Sequence, residues 1–201
     1  MHLNCVFTII DRNEAEIATS VYEDTDVPMI LTLLGNDPNA EEQMDKYGFQ
    51  SEEKAVIIAI ANDDKTAQLI KNAKRKLFIG APGYGMVMAV PIKSVGGGKT
   101  LAYLTNNSSS DKFEYELILV VLNQSYMDDV MQVARAAGAS GGTVLHAKGT
   151  SKEAQKFFGV SLANEKEVIM IVAKASEKAG IMKAILEHTG PETPAGAITF
   201  S

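Results

Sequence analysis

The feature that most limits what this chain can fold into is a segment that occurs twice. Lys54-Ala55-Val56-Ile57-Ile58-Ala59-Ile60-Ala61 returns as Lys166-Glu167-Val168-Ile169-Met170-Ile171-Val172-Ala173, 112 positions later (166 against 54). The same shift pairs Ala67 with Ala179, Lys71 with Lys183 and Pro82 with Pro194. It also sets Met86-Val87-Met88 against Ile198-Thr199-Phe200, and Ile10-Asp11 against Leu122-Asn123. The middle loops take small gaps, where Gly35 meets Gly149 and Gly48 meets Gly159. Identities are few, but the order is kept throughout, as expected of a duplicated unit. The chain is therefore divided into residues 1–105 and 115–201, joined by a linker at 106–114. Within that linker Asn106-Asn107-Ser108-Ser109-Ser110-Asp111 has no apolar residue and no periodicity.

Both copies read strand, helix, strand, loop, strand, helix, strand. In the first, Leu3 to Ile10 is dense in strand formers. Asp11 and Glu14 resemble a capping pair for a short helix through Ile17, Ala18 and Val21. Met29 to Leu34 and Ala55 to Ala61 are strands, separated by a polar loop over 36–53. Asp63 and Asp64 open a helix with Leu69, Ile70, Ala73 and Leu77 on one face, and Met86 to Val90 closes the copy. In the second, Glu116 to Leu122 is a strand, and Ser125 with Asp128 caps a helix that ends at Gly138. This order is the split β-α-β arrangement, so the expected fold class is α+β: two tandem ferredoxin-like domains with antiparallel sheets. Helices cover one face of each sheet. The strands are apolar on both faces, so the other face is expected to pack between copies or subunits.

Composition narrows the function. Nineteen Lys and Arg against 25 Asp and Glu leave a formal charge of −6, which argues against a nonspecific nucleic-acid binder. Cys5 is the single cysteine, so no intramolecular disulfide forms, and a small core side chain is expected there. No apolar run approaches the ~18 residues of a membrane span, and the start lacks a basic-then-apolar signal. A cytoplasmic protein without membrane insertion is expected.

Gly98-Lys99-Thr100 suggests a phosphate loop, but Lys93 stands where that motif needs glycine, so a hairpin turn is expected. His2, His146 and His188 show no metal-ligand spacing, and no Gly-x-Ser-x-Gly elbow is present. Neither a metal site nor an enzyme is expected. What remains are two glycine loops, Gly80 to Gly85 and Gly190 to Gly196, each joining a helix to the last strand. Glycine there lets backbone N–H groups converge on an anion.

Several stretches together carry a likeness: Ala137-Gly138-Ala139-Ser140-Gly141-Gly142, the strand closing on Lys148-Gly149-Thr150, Glu167 to Ala173, and His188-Thr189-Gly190 through Phe200. In order and spacing they resemble the P-II (nitrogen regulatory) signalling family, well over 115–201 and weakly over 3–95. The resemblance implies a trimer of ferredoxin-like subunits that binds ATP or ADP in clefts between subunits. It also implies a small-molecule effector, 2-oxoglutarate, and a regulated partner protein engaged by a long loop. The family's phosphate loop reads Gly-Asp-Gly-Lys; here stand Pro82-Gly83-Tyr84-Gly85 and Pro194-Ala195-Gly196-Ala197, without that lysine. The candidate ligand-binding residues are Gly35, Gly80, Gly83, Gly85 and Lys93 in the first copy. In the second they are Lys148, Gly149, Thr150, Gly190 and Gly196. A cleft between each glycine loop and the end of the second strand is expected to take an adenine nucleotide weakly, or a less charged anion. The alternative is a ferredoxin-like interaction module that binds no nucleotide.

Overall fold

Alternation along each strand decides which side chains meet the helices. The computed structural model describes residues 2–36, 53–81, 83–97, 100–103, 113–150 and 156–201. The heart of the expected linker, 106–111, and most of the polar loop over 36–53 lie outside them. The chain divides into two units. Leu3–Val90 with Lys148–Ser151 forms the first; Pro91–Ala147 with Lys152–Ser201 forms the second, which also takes the first two residues.

In the first unit β1 (Leu3–Asp11) leads through a 3-10 turn, Arg12–Glu14, into α1 (Ala15–Glu23). Strands β2 (Met29–Asn36) and β3 (Glu53–Asn62), helix α2 (Asp63–Lys76) and strand β4 (Met86–Ile92) follow. The strand order is β4-β1-β3-β2. β1 lies antiparallel to β3, from Leu3 opposite Asn62 to Asp11 opposite Lys54. Val6 and Ile10 of β1, with Ala55, Ile57, Ala59 and Ala61 of β3, form one buried cluster with Tyr22 of α1 and Leu69 of α2. Thr8, buried among them, shares a hydrogen bond with the Tyr22 hydroxyl. Asp11 caps the 3-10 turn, accepting from the Asn13 amide at 3.0 Å. The cap of α2 is Asn62, which accepts from the Lys65 amide at 2.9 Å. The expected pair Asp63 and Asp64 sits just inside, in the first turn, where carboxylates suit the helix dipole.

The second unit repeats the plan with additions. It comprises β5 (Ser94–Gly97), β6 (Thr100–Tyr103), β7 (Tyr115–Asn123), α3 (Met127–Ala136), β8 (Thr143–Thr150), β9 (Lys156–Phe157), β10 (Val160–Ser161), β11 (Ala163–Lys174), α4 (Ala175–Thr189) and β12 (Ile198–Phe200). The order β8-β11-β7-β12 matches β2-β3-β1-β4 of the first unit, and β5 and β6 extend it beyond β12. The architecture is thus two tandem ferredoxin-like domains with antiparallel sheets. Residues 91–103, expected in the first copy, go with the second unit because β5 pairs with β12, Val95 opposite Phe200. The expected Ser125–Asp128 cap is absent: the residue capping α3 is Tyr126, which makes no side-chain cap hydrogen bond, and Ser125 takes a φ of +77°.

The non-helical face of the second sheet is covered in part by the chain itself. Phe157, on the β9–β10 hairpin, stacks on Phe200 at 6.2 Å between ring centroids. A Cβ on Gly97 would stand 2.6 Å from the neighbouring Phe158 ring, so β5 needs glycine where the hairpin lies on it. Cys5 is buried in β1, as expected, and burial pushes its thiol up to about 12. That keeps it protonated and unreactive at neutral pH.

An ion cluster fixes the start of β7 in the second unit. Glu116 receives Lys178 of α4 at 2.6 Å and Lys93 at 3.1 Å. Burial pushes the Glu116 carboxyl up, but the hydrogen bonds and charges of Lys178 and Lys93 outweigh it and hold the group below the ordinary 4.5. A carboxyl lowered in the folded state adds stability above its unfolded value, which is lost as pH falls through the folded value. Urea denaturation between pH 7 and pH 3 should therefore show wild-type stability falling below about pH 4.5, and a visibly shallower fall for Glu116→Gln.

Candidate functional site

The last residue of the first strand faces a lysine of the third strand in both units, because the register is the same. In the first unit Asp11 stands opposite Lys54, with Oδ2 to Nζ 4.0 Å. In the second, Asn123 stands opposite Lys166, with Oδ1 to Nζ 2.6 Å. A carboxylate in one copy is an amide in the other. Lys54 therefore has a counter-charge, and among the described residues Lys166 has only a dipole. Lys166 is also the more deeply placed, 5% exposed, and burial holds its ammonium below the usual lysine range.

Local structure explains why Asn123 sits still. Its Nδ2 donates to the Pro194 carbonyl at 2.8 Å, and its backbone amide donates to the Ala195 carbonyl at 2.9 Å. Gly196 adopts a φ of +56°, and a Cβ there would come within 3.1 Å of Asn123 Nδ2. Glycine at 196 is thus demanded by both conformation and close approach. The loop is tied internally. Thr193 donates to the Gly190 carbonyl through its amide at 2.9 Å and its hydroxyl at 2.8 Å. The amides of Gly196 and Ala197 go to the carbonyls of Thr193 and Thr189. These N–H groups, expected to converge on an anion, are committed to the loop's own carbonyls.

Around this corner lies an open cleft of about 440 Å³. Asn123, Lys156, Gly159, Lys166, Thr193 and Gly196 line it, with Glu165 the one acidic residue on its wall among the described residues. Gly159 turns the β9–β10 hairpin at a φ of +86°. Among the described residues the wall carries two lysines against one carboxylate. Side chains, not loop amides, supply the positive charge, and the hydroxyls of Ser161 and Thr193 and the Asn123 amide supply neutral partners. The first unit has a cleft at the corresponding corner, beside the end of β1 and the loop before β4, of about 460 Å³. There the charged lining is Asp11, Glu14 and Lys76.

The residues expected from sequence are dispersed. Gly196 lines the second cleft and Gly83 the first. Gly80 and Gly85 each take a φ of +108°, and a Cβ on Gly85 would stand 2.3 Å from the Ile9 carbonyl oxygen, so its place is packing against β1. Gly190 is similarly a packing glycine, its imagined Cβ 2.1 Å from the Leu186 carbonyl oxygen. Lys93 belongs to the Glu116 cluster. Gly35 lies near the end of β2; Lys148, Gly149 and Thr150 end β8. The sheet order sets the last strand beside the first and the second strand at the far side of the third. Within a unit the glycine loop therefore meets the end of strand one rather than strand two. Lys166, Asn123 and Lys156 were not among the sequence candidates. The repeat itself held the signal for the first two, since the 112-residue shift sets Asp11 against Asn123 and Lys54 against Lys166.

Among the described residues no group of three or more His, Cys, Asp or Glu is placed to hold a metal ion. No described helix is long and apolar enough to cross a membrane. No family model matches the chain, and no curated protein matches it. Among solved structures it is similar to the GlnK–ATP complex of B. subtilis, with 18% identity and a TM-score of 0.34, over 46% of this chain and 84% of that one. It is also similar to a putative glycine cleavage system transcriptional repressor, with 8% identity and a TM-score of 0.30, over 92% of this chain and 91% of that one. A putative monooxygenase from Lactobacillus acidophilus matches at 9% identity and a TM-score of 0.26, over 100% and 93%. Likenesses this low carry nothing about activity.

The two kinds of glycine are separable by mutation. Gly190→Ala, which drives a methyl group into backbone, should lose about 1–3 kcal/mol in urea denaturation. Gly83→Ala has open space around it and only a left-handed φ of +87° to sustain, so its loss should be about 1 kcal/mol.

Proposed function

We propose that this chain is a P-II-like regulatory protein, not an enzyme, that takes up a small anion in the cleft of its second unit. The observation that carries the reading is Lys166: a residue 5% exposed whose close partner among the described residues is the neutral Asn123, on the wall of an open cleft. Burying a cation without a counter-charge costs stability that an apolar residue would not cost. A bound anion supplies the missing charge. The P-II resemblance of 115–201 adds the expectation that ligand occupancy is read by a regulated partner protein, and that the chain assembles as a trimer.

The ligand class follows from the charge available. Lys166 and Lys156, partly offset by Glu165, match one or two negative charges. ATP and ADP are candidates by resemblance, but a triphosphate brings more charge than this wall answers. AMP or a dicarboxylate such as 2-oxoglutarate suits it better. A ferredoxin-like interaction module without nucleotide binding is the second reading, and the internally bonded loop amides favour it.

Calorimetry on the full chain with ATP, ADP, AMP and 2-oxoglutarate tests the proposal. The less charged anions should bind more tightly than ATP, and Lys166→Met should weaken them at least about tenfold. The same substitution should leave the thermal midpoint unchanged or higher, since it removes a buried unmatched charge. Tight magnesium-ATP binding would show that the wall supplies more charge than these residues account for. Silence from every anion would leave the interaction module.

A further inference from the structure

The cleft of the first unit occupies the same corner of the fold but has opposite chemistry. Its walls are Ile10 and Ile17 with the rings of Phe78 and Tyr84, whose centroids are 5.7 Å apart and inclined at 56°. Phe78, Tyr84 and Ile17 are 62%, 55% and 52% exposed, so three large apolar side chains stand in water around one hollow. Phe78 also holds a φ of +55°, a conformation that a bulky residue rarely adopts. Strain of that kind gathers at sites whose geometry serves a ligand.

The charges are acidic. Glu14 forms no ion pair among the described residues, and Asp11 has one oxygen on the Asn13 amides, with Lys54 4.0 Å from the other. Among the described residues Lys76 is the sole cation on the lining, and its ammonium is 3.0 Å from Asp24. An anion would meet two carboxylates here. A cation would meet the two aromatic rings, whose quadrupole attracts positive charge to their faces, together with the counter-charge of Glu14 and Asp11.

We propose that this cleft binds a small organic cation, an ammonium group with alkyl substituents seated against Phe78 and Tyr84. Apolar walls take the substituents, the rings take the charge from one side, and the carboxylates take it from the other. The duplicated fold then offers one corner to an anion and the other to a cation. The difference lies in Asp11, Glu14, Phe78 and Tyr84, which the 112-residue shift sets against Asn123, Tyr126, Gly190 and Gly196. None of the residues involved belongs to the second unit, so this site stands or falls apart from the anion cleft.

The test is an NMR titration of the full-length chain with choline and with 3,3-dimethylbutan-1-ol, its neutral isostere. The readout is the amide signals of Gly83 and Tyr84. Choline should give saturable shifts there, and the alcohol should bind at least roughly tenfold more weakly. Tyr84→Ala, an exposed position that does not threaten folding, and Glu14→Gln should each weaken choline several-fold. Lys166→Met should leave it unchanged, which separates this outcome from the fate of the anion reading. Equal affinity for the two isosteres, or no saturable choline shift at these residues, would overturn the proposal.

Discussion

Each unit depends on the pairing of its first strand with its third. β1 and β3 run opposite one another over nine residue pairs, and β7 and β11 do the same. In both units this ladder sits at the centre of the four-strand core, with the last strand on one side and the second on the other. A slip of one residue would turn every side chain to the wrong face, carrying Ile57 and Ala59, or Ile169 and Ile171, away from their helices. Burial of the helix-facing side chains therefore fixes the register, and the register fixes which polar residues meet at the end of the ladder.

That end is where the two copies part company. The duplicated pairing delivers a lysine opposite the last residue of the first strand each time. Asp11 answers Lys54 with a charge, and Asn123 answers Lys166 with an amide oxygen. Much of the Asn123 side chain's hydrogen-bonding capacity is taken by Pro194 and Lys166, so the asparagine also locks the loop that shapes the cleft wall. An electrostatic cost is thus retained at a corner tied by hydrogen bonds of Asn123 to Pro194, Ala195 and Lys166. A fold selected only for stability has no reason to keep it, since an apolar side chain of similar length fits the same strand position.

The glycines show how one residue type serves unrelated needs. Gly85 and Gly190 are close approaches of backbone to backbone, Gly97 makes room for an aromatic ring, and Gly196 turns the chain while clearing Asn123. Gly80 and Gly83 stand in open space and are explained by their left-handed backbone alone. From sequence Gly80, Gly83, Gly85, Gly190 and Gly196 read alike as anion-binding loop glycines, because spacing records that glycine is needed and not why.

The sequence by itself determined the duplication, the order of elements and the faces of most strands and helices, because these follow from periodicity and local turn chemistry. It also held the aligned pairs Asp11 with Asn123 and Lys54 with Lys166, legible once the repeat was written out. Tertiary structure alone decided what those residues do. The order β4-β1-β3-β2 carries the loop before the last strand to the end of the first, a neighbour that no spacing along the chain specifies. Lys93 reads as a free basic residue until folding brings Glu116 within 3.1 Å, and Lys166 reads as one more surface lysine until the strands bury it. Burial and partnership are set by which distant segments pair, and charge acquires its chemical meaning only from what surrounds it.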